Sequence, residues 1–287
     1  GRVVGITLDG TTLWDADFAS PVRALAGVAF DGPGAPGAVV VGGDSDTVRA
    51  FAGRDGAALW THTIDRYKTA GDVGVMFTAD LDGQGRQVAV AGSRNWRYHV
   101  LDRDGTKRWH YESVHLSTAG TAADLDADGR QELLLGTAYY GWFAVKPEGT
   151  TLWRYSTRGG PGCNVVAAGD VTGDGTPEVF FGGQDALVQA AGAKGEVLWQ
   201  FNTGDEVSGL AVIDSDGDGR SEVVASSLSF NLFCIDGEGR RLWRRDLGSP
   251  LRGLARCEHA GRTVLAVATE AGRICLVDPR QGDVLAS

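Results

Sequence analysis

The stretch VSGLAVIDSDGDGRSEVVASSLSFNLFCIDGEGRRLW, residues 207–243, decides the fold. VSGLAVI predicts a strand, DSDGDGRS a turn and EVVASS a second strand. SLSFN then reads as a turn, LFCI as a third strand, DGEG as a tight turn and RRLWRR as a fourth strand. The apolar runs are too short for helices, and the Gly, Asp, Ser and Asn between them are turn formers. No segment of the chain shows a sustained helical period with caps, so the fold class is all-β.

The same unit recurs. Its last turn and strand read GTTLW ending at Trp14, GAALW at Trp60, GTKRW at Trp109, GTTLW at Trp153, GEVLW at Trp199 and GRRLW at Trp243, then GDVLA at Ala286. The steps between these positions are 46, 49, 44, 46, 44 and 43 residues. Four-stranded antiparallel units of this length predict a β-propeller of four-stranded blades. The chain divides into a half blade at 1–15 and six blades at about 16–60, 61–109, 110–153, 154–199, 200–243 and 244–287, within one domain. Residues 1–15 match only third and fourth strands, so seven blades closed two-plus-two are favoured, with six blades and an extra hairpin as the alternative. The seven-blade ring needs first and second strands from beyond Ser287, so the natural chain is expected to continue. First strands rich in small residues (GTAAD, 120–124) fit a crowded axis, and continuously apolar second strands (ELLLG, 132–136; EVFFG, 178–182) fit sheets covered on both faces. The repeated Trp reads as packing between blades.

Composition agrees. Of 287 residues 43 are glycine, about twice ordinary usage, while proline numbers only 8. The net charge of −10 argues against a nucleic-acid partner, which calls for a basic stripe. No apolar run reaches the ~18–20 residues of a membrane-spanning helix. Cys163, Cys234, Cys257 and Cys275 lack metal-ligand spacing and read as buried small apolar residues. The chain starts at Gly1, so it is read as a processed or excised piece.

Between first and second strands lies an acidic turn: DLDADGRQE (124–132), DVTGDGTPE (170–178), DSDGDGRSE (214–222) and the weaker DLDGQGRQV (80–88). Oxygen side chains at positions 1, 3 and 5 with Gly at 6 converge as hard-cation ligands do, and a plain turn needs only one such residue. The candidate ligands are Asp124, Asp126, Asp128 and Glu132; Asp170, Thr172, Asp174 and Glu178; Asp214, Asp216, Asp218 and Glu222; and Asp80, Asp82 and Gln84. The glutamate stands at position 9, not the EF-hand's 12. These ions are expected to be structural Ca²⁺ and to offset much of the acidity.

Periodic DxDxDGxxE turns followed by an apolar strand resemble the FG-GAP/VCBS propeller repeats of integrin α-subunit heads and bacterial extracellular proteins. VLDRDGTKRW and CIDGEGRRLW resemble the PQQ-like quinoprotein-type repeat. The resemblance implies a propeller, and it implies no PQQ here, because the adjacent Cys-Cys pair of quinone-dependent dehydrogenases is missing. It does not choose among the lectins, lyases, dehydrogenases and scaffolds that share the architecture.

Strand order puts the acidic turns and DGxG turns at one edge of each blade and the turns between second and third strands at the other. That second edge carries Arg94, Trp96, Tyr139, Tyr140, Trp142 and Phe230, with Tyr67, His115 and Arg158 from the connections. Aromatic rings mixed with Arg suit a glycan or a protein ligand, unless the rings tuck into blade interfaces. Histidines 62, 99, 110, 115 and 259 form no HExxH, and no GxSxG elbow occurs. The expectation is therefore a non-catalytic, calcium-stabilised recognition module, extracellular, periplasmic or on the cell surface, with other domains of the same polypeptide as further partners. The alternatives are a carbohydrate-active propeller enzyme such as a polysaccharide lyase, and an intracellular sensor or scaffold domain.

Overall fold

The computed structural model describes residues 1–139, 141–155, 160–259 and 261–287. The described residues contain no helix; none is long and apolar enough to cross a membrane. They form a two-stranded hairpin, Arg2–Ile6 with Thr12–Asp17, and six four-stranded antiparallel sheets at 22–63, 73–112, 117–155, 163–202, 207–246 and 251–286. Within every sheet the strands lie side by side in chain order, a meander in which each strand pairs with its sequence neighbours. The chain divides into two compact units, Gly1–Leu152 and Trp153–Ser287. The first holds the hairpin and the sheets at 22–63 and 73–112, and nearly all of the sheet at 117–155; the second holds the last three sheets.

Burial follows strand order. Four second strands, Val88–Ser93, Glu132–Thr137, Glu178–Gly183 and Glu222–Ser227, are buried along their whole length, Ala38–Gly43 nearly so, and Arg262–Thr269 only in part. Fourth strands alternate between exposed and half-buried, as expected at a sheet edge facing solvent. Cores form between successive sheets: Phe77, Val90, Tyr98, Leu133 and Phe143 share one in the first unit, and Phe180, Val188, Val223 and Phe233 share one in the second.

Two β-bulges recur. In the pairing of third and fourth strands the register shifts just before the tryptophan, so Trp60 faces Ala50 while Ala58 faces Phe51. The residue skipped is the Leu of the Leu-Trp motif. Leu13, Leu59, Leu198, Leu242 and Leu285 therefore point outward, 45–58% exposed. A second shift opens each first strand, for example between Val73 and Val75. An extra residue on one strand increases local twist, which a short four-stranded sheet needs to pack on its neighbours.

The tryptophans join one repeat to the next. Each lies over the positive-φ glycine of the following repeat's last turn, so a Cβ on Gly56, Gly105, Gly195, Gly239 or Gly282 would fall 2.7–2.8 Å from an indole atom. Four of them also donate the indole N–H to a carbonyl of that turn: Trp14 to Gly53 (2.8 Å), Trp153 to Ala193 (2.8 Å), Trp199 to Gly237 (2.9 Å) and Trp243 to Pro279 (3.0 Å). Tryptophan is suited to this place because it covers a glycine with apolar surface and satisfies a turn carbonyl.

First strands approach one another closely as well. A Cβ on Gly120 would lie 2.2 Å from Cε1 of Phe77. Gly120→Ala is expected to destabilise by about 1–3 kcal/mol through overpacking. Gly74→Ala, where no atom lies within 4 Å, should be neutral or slightly stabilising. Urea midpoints of the two variants measure the difference.

Candidate metal loops and an aromatic–cationic edge

Each acidic loop is built on its first aspartate. Asp124 Oδ2 accepts the Gly129 amide (2.8 Å) and Oδ1 that of Asp128 (3.1 Å). Asp170 takes the amides of Gly173 (2.6 Å) and Gly175 (2.8 Å), and Asp214 those of Gly217 (2.7 Å) and Gly219 (3.1 Å). In the weaker loop Asp80 takes those of Gly83 (2.9 Å) and Gly85 (2.6 Å); burial works against it, yet the Gly85 amide and its neighbours hold this carboxyl below the usual range. The motif glycines have positive φ (Gly129 88°, Gly175 87°, Gly219 90°), which turns successive amides onto one carboxylate.

The glutamate at position 9 closes the loop from below. Glu132 Oε2 accepts the Leu125 amide (2.9 Å), Glu178 Oε2 that of Val171 (3.0 Å) and Glu222 Oε2 that of Ser215 (2.8 Å); all three side chains are buried. Burial pushes the Glu132 carboxyl upward, and the charges of Asp126, Asp128 and Asp124 push it further against the pull of the Leu125 amide. In loop 80–88 Val88 holds this place and supplies no carboxylate.

Two loops gather three carboxylates. Oxygens of Asp124, Asp126 and Asp128 lie within 4.8 Å of one another, as do those of Asp214, Asp216 and Asp218. Asp170 and Asp174 gather no third acidic side chain of this kind; Thr172 Oγ1 instead bonds Glu178 Oε1 (3.2 Å). In loop 80–88 the Arg86 guanidinium bridges Asp82 (2.8 Å) and Gln84 (2.5 Å), supplying a positive charge from within the chain. Arg130 pairs with Asp128 and holds that carboxyl below the usual range. Three gathered carboxylates form a hard, oxygen-only donor set of the kind that fits Ca²⁺.

One structural role at position 8 escaped the sequence reading. Gln87 Oε1 accepts the Ala29 backbone amide (2.9 Å), and the Gln87 backbone amide donates to the Ala29 carbonyl (3.0 Å). Gln131 does the same to Asp80 (2.8 Å for both bonds). Each glutamine thus clasps its loop to the preceding sheet, a role Pro177 and Ser221 do not fill at the equivalent places.

At the opposite edge of the first unit, rings and cations meet. Trp96 stacks on His115 with ring centroids 5.1 Å apart, and His115 meets Tyr139 edge-on at 4.7 Å. Arg97 Cζ lies 3.6 Å from the centre of the Tyr67 ring, whose hydroxyl donates to Glu112. Lys68 Nζ is 5.2 Å from the Tyr67 ring and 5.9 Å from that of Trp96. Arg94 is exposed beside them, and Trp142 is half-buried. Phe230 occupies the same turn position in the second unit as Trp96 in the first, with φ of 72° and 71°. Tyr140 and Arg158 lie outside the described residues.

Of the remaining histidines and cysteines, His110 and His259 are exposed, His62 and Cys257 are half-buried, and the others are enclosed. His99 is fully buried, faces His110 across the strand pair (centroids 5.8 Å) and has both ring nitrogens without a hydrogen-bond partner. Cys163, Cys234 and Cys275 are buried thiols, whereas Cys257, expected to be buried with them, is only half-buried on the long edge hairpin. Burial pushes those of Cys163 and Cys234 up to about 12, which keeps them protonated and unreactive.

Comparison with known proteins adds the following. A model of the FG-GAP-like repeat matches residues 124–181, the span from one acidic loop into the strand that follows the next. No curated protein matches the chain. Among solved structures, the computationally designed Ika8 protein is similar at 16% identity with a TM-score of 0.72, covering 96% of this chain and 76% of that one. BBS1N in complex with ARL6DN is similar at 12% identity and TM-score 0.70, over 99% and 84%. The biofilm matrix protein Bap1 of V. cholerae is similar at 22% identity and TM-score 0.60, over 86% of this chain and 44% of Bap1. At these identities the likeness is one of fold.

Proposed function

We propose that the chain is a non-catalytic recognition module whose sheets form a calcium-stabilised β-propeller. The observation that carries this is the repeated acidic loop. Its first aspartate and its glutamate fix the loop through backbone amides, and oxygens of Asp124, Asp126 and Asp128, or of Asp214, Asp216 and Asp218, converge. Ca²⁺ held there by Asp124, Asp126 and Asp128, by Asp214, Asp216 and Asp218, and by Asp170, Thr172 and Asp174 with less charge, supplies positive charge and nothing else. Loop 80–88, where Gln84 and Val88 stand in place of carboxylates, is the weakest of the four sites. Sites of this exposed kind fill at extracellular calcium levels, which favours a location outside the cell.

The ligand, a glycan or a protein, is assigned to the edge that carries Trp96, away from the metal loops. A protein ligand has the support that BBS1N, similar in fold, is described in complex with ARL6DN.

Thermal unfolding with and without chelator tests the metal reading. Ca²⁺ at ten times its dissociation constant stabilises by about 1.4 kcal/mol per site, so chelation should lower Tm by several degrees. A melt indifferent to both chelator and added calcium would remove the metal from the proposal.

A further inference from the structure

The edge around Trp96 gathers exposed cations beside aromatic rings. In a protein of net charge −10, Arg66, Lys68 and Arg94 stand exposed in one turn cluster and form no ion pair among the described residues, although Asp46 and Asp72 border the hollow beside Arg66. Residues Arg66, Tyr67, Lys68, Thr69 and Ala70 surround a shallow, open hollow beside this cluster. Lys68 (φ 55°) and Trp96 (φ 71°) are both held in the left-handed region, uphill for any residue but glycine. Asn95, fully buried, donates to the Asp65 carbonyl (2.6 Å), and Ser113 donates its amide (2.8 Å) and its hydroxyl (2.9 Å) to the carbonyl of Trp96. The indole is therefore presented by a fixed turn of the same form as those of Ala186 and Phe230, and it differs from them in carrying a tryptophan beside exposed cations.

The chemistry of the edge selects the ligand. Unpaired guanidinium and ammonium groups call for an anion, and rings beside them call for a flat apolar face on that same anion. The backbone offers an extended peptide little to pair with. The Arg94 amide is taken by Asp72 (2.8 Å), the Arg94 carbonyl by Thr69, the Trp96 carbonyl by Ser113 and the Thr69 amide by Tyr67 (2.5 Å). Side-chain stacking and charge remain. A pyranose bearing a carboxylate has both: a C–H face for the rings and an anion for Arg66, Lys68 or Arg94.

Building on the recognition reading above, we infer that this edge binds a uronate-bearing polysaccharide. Calorimetric titration of the whole chain with hyaluronan oligosaccharides, their carboxyl-reduced forms and poly-glutamate tests it. Trp96→Gly and Lys68→Gly suit the left-handed turns, so neither should disturb the fold. Trp96→Gly is expected to weaken hyaluronan binding at least tenfold. Lys68→Gly should weaken it about threefold and reduce its salt dependence. Phe230→Gly, the same change in the second unit, should leave binding unaltered.

Binding unchanged by Trp96→Gly, equal affinity for the carboxyl-reduced oligosaccharide, or no binding by the wild type would overturn the inference. Poly-glutamate bound as tightly and with the same variant sensitivity would replace it with an acidic-peptide site. A glycan and protein array run alongside separates the two levels. A different ligand lost in Trp96→Gly would leave the recognition reading standing without the uronate, whereas no ligand at all would remove both.

Discussion

Replacing Trp14 by alanine is expected to destabilise the protein by about 3–5 kcal/mol, the range for removing a large buried aromatic side chain. Trp14 is 9% exposed and packs in a core with Val3, Phe18, Val41 and Phe51. Glycines approach it from its own hairpin and from the next repeat: a Cβ on Gly5 would fall 2.4 Å from the indole, and one on Gly56 2.7 Å. Alanine would open a cavity between the hairpin and the sheet at 22–63 and would leave the Gly53 carbonyl without its donor. The loss should be local first. Hydrogen exchange at residues 2–17 should rise before the rest of the first unit loosens, alongside a lower urea midpoint. Trp14→Phe and Trp60→Phe separate packing from hydrogen bonding. The Trp60 indole N–H is buried without a partner, so its replacement should cost less than that of Trp14, by about 1 kcal/mol. Equal costs would mean that the indole hydrogen bonds carry no weight.

Acid should destabilise the first unit through His99. Desolvation pushes its pKa from 6.5 down to about 3, and the neighbouring His110, Lys107, His62 and Arg97 add positive charge where a proton would go. The nearby Asp65 carboxylate is already paired with Lys107. The unfolded chain therefore binds a proton that the folded chain refuses. The stabilising difference is fully present above pH 6.5 and is lost as pH falls toward 3. The loss amounts to about 2 kcal/mol at pH 5 and about 4 kcal/mol at pH 3. His99→Phe keeps the volume and removes the titration, so urea unfolding of this variant should lose about 2 kcal/mol less than the wild type between pH 7 and pH 5. If the two pH profiles run parallel, His99 is not the acid-sensitive group.

Much of this could be read from the chain itself. The Gly-x-x-Leu-Trp spacing located the repeats, and the fully buried second strands appeared as ELLLG and EVFFG. Where the sequence misled or was silent, a bond to a distant residue or a shift of register was responsible. Leu59 and Leu242 look as core-forming as the Trp beside them, but a bulge removes them from the alternation and turns them to solvent. Spacing offers Glu132 as a metal ligand but is silent on the bond one of its oxygens accepts from the Leu125 amide, which no local pattern announces. Gln131 sits in a turn where any polar residue would pass, and its clasp on Asp80 depends on a sheet 51 residues away in sequence. His99 lies in RYHVL, a segment that gives no sign of both ring nitrogens going unpaired.

The tryptophan of one repeat resting on the glycine of the next has a genetic consequence. The two halves of each joint are encoded one repeat apart, so a larger residue at Gly239 is tolerated only with a smaller one at Trp199. Neighbouring repeats must therefore drift together. Loss or duplication of a whole period rejoins an intact donor to an intact acceptor, whereas a crossover that alters the length of a period sets them out of step. Recombination in whole periods thus conserves every joint, and copy number can change more safely than the spacing within a copy.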